Sequence, residues 1–473
     1  MTAPPRQAPS KPLDRSIVEG PIGRAVWMLA WPTMVQNLIG GLQGMVDHAL
    51  VGHFVGYAGN AAIGVAIQIF IVVIVFVMSV FSGMGVLVAR FAGANDPEQV
   101  NRTVYQAFLA AVALWACVLA PLGWILAPSL LGVVHAAPAV RAEALPFLRL
   151  MFVGSLGMLL FFMVSGALRA AGDARTPMRL GVLLTVLNIA FNVIFITGVG
   201  PVPRMGTAGA AVGTTVASLI VAGVAGYMLF SGRLPVTWHR GMDWRPDWSV
   251  IRALFRFGLP TGVQGIAMNV AGVMLLRFIG SLEQSAEAQA TYAVSYTELF
   301  SFITWTSVGL MSAAATVAGQ NLGAGRPERS VQGVHRAAML GLGVAVVIGV
   351  LFLTIPRFLL GLFGMTDPVV VGLGVQLLSF LSVSGLFVTV ALTYTGGLQG
   401  TGDTRSPLYI SIASQIVVPL GLCMLLQTIR PLGPADIWTA ILLGHMTRCA
   451  LSVLRFRQGK WRGIEVDVGR RST

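Results

Sequence analysis

Leu168-Arg169-Ala170-Ala171-Gly172-Asp173-Ala174-Arg175-Thr176-Pro177 returns 230 residues later as Leu398-Gln399-Gly400-Thr401-Gly402-Asp403-Thr404-Arg405-Ser406-Pro407. Two further pairs follow the same rule. Trp31-Pro32-Thr33-Met34-Val35-Gln36 matches Leu259-Pro260-Thr261-Gly262-Val263-Gln264 at an offset of 228. Gly93-Ala94-Asn95-Asp96-Pro97-Glu98 matches Gly323-Ala324-Gly325-Arg326-Pro327-Glu328 at 230. Three matches in order at a nearly constant offset indicate a duplicated half. In a hydrophobic chain such a duplication points to transport, because two similar lobes can rock about a central site.

The hydrophobicity is plain. Of 473 residues, 55% are hydrophobic and 10% charged, against about 25% charged in a soluble domain. Runs such as Ala61 to Val88 and Leu340 to Ile355 carry no charge and suit the roughly 20 apolar residues of a spanning helix. The 56 glycines fit close helix packing in a bilayer. Cys117, Cys423 and Cys449 stand in apolar stretches at unrelated spacings, which marks them as core residues, not disulfide or metal partners. The net charge of +13 is almost all arginine in short loops. No basic stripe alternates with aromatics, so the charge is not a nucleic-acid surface. The N-terminus up to Lys11 is polar and Pro-rich, with no apolar core of a cleavable signal peptide.

The expected fold is all-α, with twelve transmembrane helices near 25–52, 58–88, 103–131, 142–168, 177–199, 207–231, 253–280, 288–316, 331–356, 368–397, 407–427 and 435–455. Alternate loops then place 25 of the 31 Lys and Arg residues on one side, leaving Arg141, Arg149, Arg204, Arg277, Arg357 and Arg430 on the other. The positive-inside rule puts the rich side and both termini in the cytoplasm, as for a multi-pass protein of a bacterial inner (plasma) membrane. The chain divides into a tail at 1–20, a six-helix lobe at 21–231, a linker at 232–250, a second six-helix lobe at 251–456 and a tail at 457–473. An even helix number per lobe relates the two by a pseudo-two-fold axis along the membrane normal. In the linker region, Trp238, Trp244 and Trp248 beside Arg240, Arg245 and Arg252 suit either an interfacial segment or a plain connector. Pro32 and Pro260 fall inside the first helix of each lobe and should kink it, as a tolerated bend or as a hinge for a cavity.

These residues together resemble the MATE (multidrug and toxic compound extrusion) family, prokaryotic and of the NorM or DinF-like kind. The resemblance is carried by Pro32 with Val46-Asp47-His48-Ala49-Leu50-Val51-Gly52, by Gly319-Gln320-Asn321-Leu322-Gly323-Ala324-Gly325, and by the two Gly-Asp-x-Arg-x-Pro loops ending at Pro177 and Pro407. It spans roughly residues 20 to 455. It implies two six-helix lobes and export of cationic or amphipathic organic compounds against inward protons or sodium, with no cofactor. The sequence departs from the family's ion sites. One branch carries acids in helices seven and ten, where this chain has Met268, Asn269 and Val388. The other pairs the helix-one aspartate with an asparagine and an aspartate in helix five, where this chain has Asn188 and Asn192. Sodium coupling is therefore the less expected case, and protons the more expected.

Only Asp47 and Glu298 among the 18 acids fall well inside the expected helices. A charge at mid-bilayer costs about 2.5–3.5 kcal/mol on insertion scales and usually faces a cavity. Asn188 and Asn192, four apart, share a helix face, and Asn192 and Thr214 lie at a depth comparable to Asp47. Asp47, Asn188, Asn192 and Thr214 thus form a candidate ion-coupling cluster, the alternative being a structural carboxylate satisfied by the asparagines. Glu298, with Ser295, Ser301, Phe302 and Trp305 at helical spacings, is a candidate receiver of an organic cation by charge and cation–π attraction. The alternative is a structural acid. Its repeat-equivalent is Gln68. The expected partners are small organic substrates and the lipid bilayer, with no nucleic acid, and the expected assembly is a monomer.

Two other functions compete with export. A flippase for a lipid-linked precursor would carry phosphate and favour a cationic cavity, and only Arg149 and Arg277 stand near the expected interior. An intramembrane enzyme is disfavoured: the histidines at 48, 53, 135, 239, 335 and 445 lack metal-ligand spacing, no P-loop is present, and no metal is expected.

Overall fold

The structure, a computed structural model of the chain, describes residues 13–134, 137–239 and 242–466. Lys11, His135, Arg240 and the tail from 467 lie outside the described residues. Twelve long helices carry the fold: α1 Ile22–Phe54, α2 Tyr57–Gly93, α3 Pro97–Val133, α4 Pro138–Ala170, α5 Arg175–Thr197, α6 Gly206–Phe230, α7 Trp248–Gly280, α8 Ser285–Gly323, α9 Pro327–Thr354, α10 Pro368–Gly400, α11 Arg405–Ile429 and α12 Pro434–Arg457. Among the described residues, eleven are long and apolar enough to cross a membrane. The exception, α1, is as long as its neighbours, but Gln36, Asn37, Gln43, Asp47, His48 and His53 dilute its apolar character. The helices run several residues past the expected bounds at many ends, because their polar first turns are still helical. Helices α1 and α7 continue through Pro32 and Pro260.

The repeated motifs are turns, and their residue types follow from turn geometry. Between α4 and α5, Gly172 takes φ +104°, and the Asp173 amide donates back to the Leu168 carbonyl at 2.8 Å. The Asp173 carboxylate then caps α5, accepting from the Thr176 amide (3.0 Å) and hydroxyl (2.6 Å). Between α10 and α11, Gly402 takes φ +98° and Asp403 accepts from the Ser406 amide (3.2 Å) and hydroxyl (2.9 Å). A left-handed glycine ends one helix and a carboxylate starts the next. Asn95 (φ 59°) before Asp96-Pro97 follows the same logic, with Asp96 accepting from the Gln99 amide at 3.1 Å, whereas Gly325 (φ 70°) before Arg326-Pro327 keeps the left-handed residue without a side-chain cap.

Packing divides the chain into two compact units. One includes Ile39–Leu259, and the other comprises Ser16–Leu38 and Pro260–Val466. The division cuts α1 after Leu38 and α7 before Pro260, so each of these helices serves both units. In the first unit, a Cβ on Gly83 would overlap the Leu254 carbonyl and one on Gly258 the Ser79 carbonyl. In the second, a Cβ on Gly309 would lie 2.9 Å from the Met34 amide nitrogen. Missing side chains thus permit backbone approach at each crossing. The Ser16–Glu19 turn buries Ile17 and Val18 in the second unit. Arg326 and Arg329 hold it through the Val18 and Gly20 carbonyls at 2.9 and 2.7 Å.

The stretch after α6 is docked, not free. Asn101 accepts from the Thr237 amide, Tyr105 donates to the Trp244 carbonyl and Gln106 to the Arg245 carbonyl, each at 2.9 Å. Arg102 pairs with Asp247, and Trp238 packs against Tyr105, Phe108 and Phe230. Trp244 and Trp248 remain more exposed.

Candidate functional site

Asp47 stands seven residues before the end of α1, half-buried. The two asparagines of α5 face it in a chain. Asn192 Nδ2 donates to Asp47 Oδ1 at 2.8 Å and to Asn188 Oδ1 at 3.1 Å. Asn188 Nδ2 donates to Thr214 Oγ1 at 2.9 Å, and the Thr214 hydroxyl donates to the Ala210 carbonyl at 2.9 Å. Asn188 and Asn192 are both 0% exposed. The structure therefore brings together all four residues of the first cluster across α1, α5 and α6. Every donor in the chain is used, and the carboxylate is its terminal acceptor.

Backbone approach fixes this chain in place. Helix α6 carries Gly209-Ala-Ala-Val-Gly213, the small-xxx-small spacing that lets membrane helices touch. A Cβ on Gly209 would lie 2.5 Å from the Phe195 carbonyl carbon of α5. One on Gly213 would overlap Asn192 Oδ1 and lie 2.8 Å from the Asn192 amide nitrogen. Asn192 Oδ1 itself accepts no hydrogen bond. Gln43, one turn before Asp47, accepts from the Thr185 hydroxyl of α5 at 2.8 Å. Sequence reading missed Gln43 and Gly213. Gln43 carried a usable signal, since it lies four residues before Asp47 and so on the same helix face.

In the second unit, Glu298 lies in a π-helical turn, Ala293–Leu299, inside α8. Such single-turn bulges are frequent at functional sites. The bulge inserts a residue into the helical period, so spacings counted across it fail. Ser295, expected on the Glu298 face, is fully buried, and the Ser301 hydroxyl turns back onto the Glu298 carbonyl. Phe302 and Trp305 do stack edge to face at 5.7 Å, and the Trp305 carbonyl accepts from Asn37 of α1 at 3.2 Å. The Glu298 carboxyl makes no hydrogen bond or ion pair among the described residues. Gln68, on α2 of the first unit, is exposed.

One ionisable residue escaped the sequence reading. Arg448 lies inside α12, nine residues before its end, and is 7% exposed. Counting it among the positive charges of the C-terminal end hid it, although the expected span 435–455 already contained it. It joins Asp47 and Glu298 as a charge well inside a spanning segment.

Comparison with known proteins agrees with the fold and the duplication. The family model described as MatE matches residues 32–194 and again 260–425. A probable multidrug resistance protein NorM of Deinococcus radiodurans is 30% identical over 447 residues, covering 91% of this chain and 94% of that protein. One of the same name from Thermotoga maritima is 28% identical, with 92% of each chain covered. The multidrug resistance protein MdtK of Pectobacterium atrosepticum is 26% identical, covering 92% and 95%. Among solved structures, an outward-facing multidrug resistance MATE family transporter of the MOP superfamily superposes with a TM-score of 0.88. It shares 20% identity and covers 97% of this chain and 100% of its own.

Proposed function

The chain belongs to the MatE family of multidrug efflux transporters, and we propose that it is a secondary antiporter, exporting cationic or amphipathic organic compounds in exchange for inward protons. The reading places it in the bacterial plasma membrane with both termini cytoplasmic. The placement of 25 of 31 basic residues supports that orientation. A monomer is the working assembly.

The amide chain ending on Asp47 carries the proposal. As an anion, Asp47 accepts from Asn192. Once protonated, it must donate, and the acceptor left unused beside it is Asn192 Oδ1. Turning the Asn192 amide to offer that oxygen withdraws Nδ2 from Asn188 Oδ1. The change then passes through Asn188 to Thr214 on α6. One proton thereby alters the contacts joining three helices, which is what coupling requires of a two-state lobe. That Asn192 presents a donor to the carboxylate favours a proton over sodium, which would need oxygen ligands there. Glu298, whose carboxyl has no hydrogen bond or ion pair among the described residues, is the proposed receiver of the cargo's positive charge.

The test is Asp47→Asn in proteoliposomes, with uptake of a fluorescent organic cation driven by proton and sodium gradients in separate arms. Proton-driven transport should vanish while the thermal midpoint stays near that of the wild type. Full proton-driven transport by Asp47→Asn would sink the coupling mechanism. Loss of folding would return Asp47 to a structural role.

A further inference from the structure

Among the described residues, Arg448 has no counter-ion. None of the ion pairs among the described residues involves it, and its Nε is buried without a hydrogen bond. Three carboxylates at the ends of the second unit are engaged elsewhere: Asp403 with Arg455, Asp436 with Arg430, Glu328 with Arg462. An isolated charge inside a spanning helix is expensive and is normally paired with an opposite charge or faces a pathway.

The surroundings of Arg448 are rich in idle polar groups. His445, one turn earlier on α12, is 3% exposed and its Nδ1 is unpartnered. Ser452, one turn later, is fully buried with an idle hydroxyl. Across from them, α11 opens into a π-helical turn at Ala413–Val417 that packs on α12. Within it, Ser414 is fully buried, and its hydroxyl has no partner. Its carbonyl is so close to Gly444 that a Cβ there would sit 2.7 Å away. From α8, Tyr296 packs its ring against Phe300 at 5.4 Å. Phe300 stacks on His445 at 5.8 Å. Helices α8 and α11 thus both carry a π-helical turn beside this segment of α12, each contributing polar side chains.

We propose that these residues form a binding site for one singly charged anion, held by the Arg448 guanidinium with donors from Tyr296, Ser414 and Ser452. Hydroxyls and a guanidinium are the donors a carboxylate or halide requires. A single cation matches a single negative charge, and a multiply charged pyrophosphate would be left under-neutralised. The anion is either free chloride or the carboxylate of a cargo. The second source rests on the export reading and would make the preferred cargo zwitterionic.

Purified protein in sulfate buffer at constant ionic strength separates the cases by thermal unfolding, titrated with chloride or with benzoate. An anion bound to the folded state alone raises the midpoint in a saturable way. A rise with benzoate alone assigns the site to a cargo carboxylate, and a rise with chloride assigns it to the free ion. Arg448→Gln should abolish the response without lowering the midpoint in the sulfate buffer free of chloride and benzoate, because it removes an uncompensated charge. Should Arg448→Gln not fold, Ser414→Ala and Tyr296→Phe keep the cation and should weaken the apparent affinity several-fold. Wild-type protein indifferent to both anions, or Arg448→Gln or the hydroxyl variants responding as the wild type does, overturns the site. Asp47→Asn should retain the response, so the anion site and the proton coupling stand or fall separately.

Discussion

Adding one methyl group at Gly213 is the sharpest probe of the Asp47 cluster. In Gly213→Ala, the new Cβ would overlap Asn192 Oδ1 and sit 2.8 Å from the Asn192 nitrogen and 3.0 Å from the Phe191 carbonyl carbon. Side-chain Cβ atoms essentially never approach other atoms below 3.0 Å. Either the Asn192 amide swings away from Asp47, or α5 and α6 move apart. Overpacking of this kind costs about 1–3 kcal/mol. Losing the Asn192–Asp47 hydrogen bond, which has a charged acceptor, adds about 1.5–3 kcal/mol. Gly223→Ala and Gly226→Ala on the same helix meet nothing within 4 Å. Helix propensity alone should make each neutral to about 1 kcal/mol stabilising. The assay is equilibrium unfolding in mixed micelles, alongside proton-driven uptake. Combining Gly213→Ala with Asn192→Ala should recover part of the loss, because the Oδ1 overlap disappears while the backbone approach remains. Residues in contact couple by about 0.5–3 kcal/mol. Strict additivity of the two substitutions, or Gly213→Ala with intact stability and coupling, would refute this account of the packing.

Two further outcomes are expected. Glu298→Gln should weaken transport of a cationic compound more than that of a neutral one of similar shape, measured by paired uptake assays. Equal losses would assign Glu298 to packing. Asp247 outside the spanning segments is held at a pKa of about 2: burial raises it, but hydrogen bonds from Ser249 and Arg102, together with the Arg102 charge, outweigh that and lower it. A depressed folded pKa contributes stability above the unfolded value, about 4, and loses it as pH falls through about 2, a difference on the order of 2 kcal/mol. Asp247→Asn should therefore lower the midpoint at neutral pH, and the two proteins should converge on acidification from pH 4 to 2. A constant gap across that range would show that the linker clasp does not depend on this charge.

Much of the architecture was legible because it rests on local chemistry. Apolar runs mark helices, and the duplicated loops mark turns, since Gly172 and Gly402 supply left-handed backbone and Asp173 and Asp403 supply caps. The Asp47 cluster was legible for a similar reason. A spacing of four puts Asn188 and Asn192 on one face, and counting from the helix ends gives a common depth with Asp47. What stayed hidden depends on contacts or on broken periods. Hydropathy locates α1 and α7 but carries no information on which unit each half packs in. The π-helical turn at Ala293–Leu299 shifts Ser295 off the Glu298 face, and nothing in the local composition announces it. Arg448 was absorbed into a charge count because arginine near a helix end ordinarily snorkels to the interface.

The duplication also separates geometry from chemistry. The turn motifs survive in both halves because a left-handed residue is needed wherever two helices meet in that way. Inside the membrane the halves have parted. At the same offsets, the equivalents of Asp47, Asn188, Asn192 and Thr214 are Leu275, Val418, Leu422 and Gly444, so the second unit carries no copy of the amide chain. Conversely, Glu298 and Arg448 correspond to Gln68 and Ser218 in the first. A duplicated chain thus holds one carboxylate tied to amides and, in the other unit, a carboxylate and a guanidinium each without an ionic partner among the described residues. That asymmetry suits a division of labour, in which one unit titrates and the other binds charged cargo. It also explains why the two tests are independent: Asp47→Asn acts on a hydrogen-bonded chain confined to the first unit, whereas Arg448→Gln acts on an unpaired charge confined to the second.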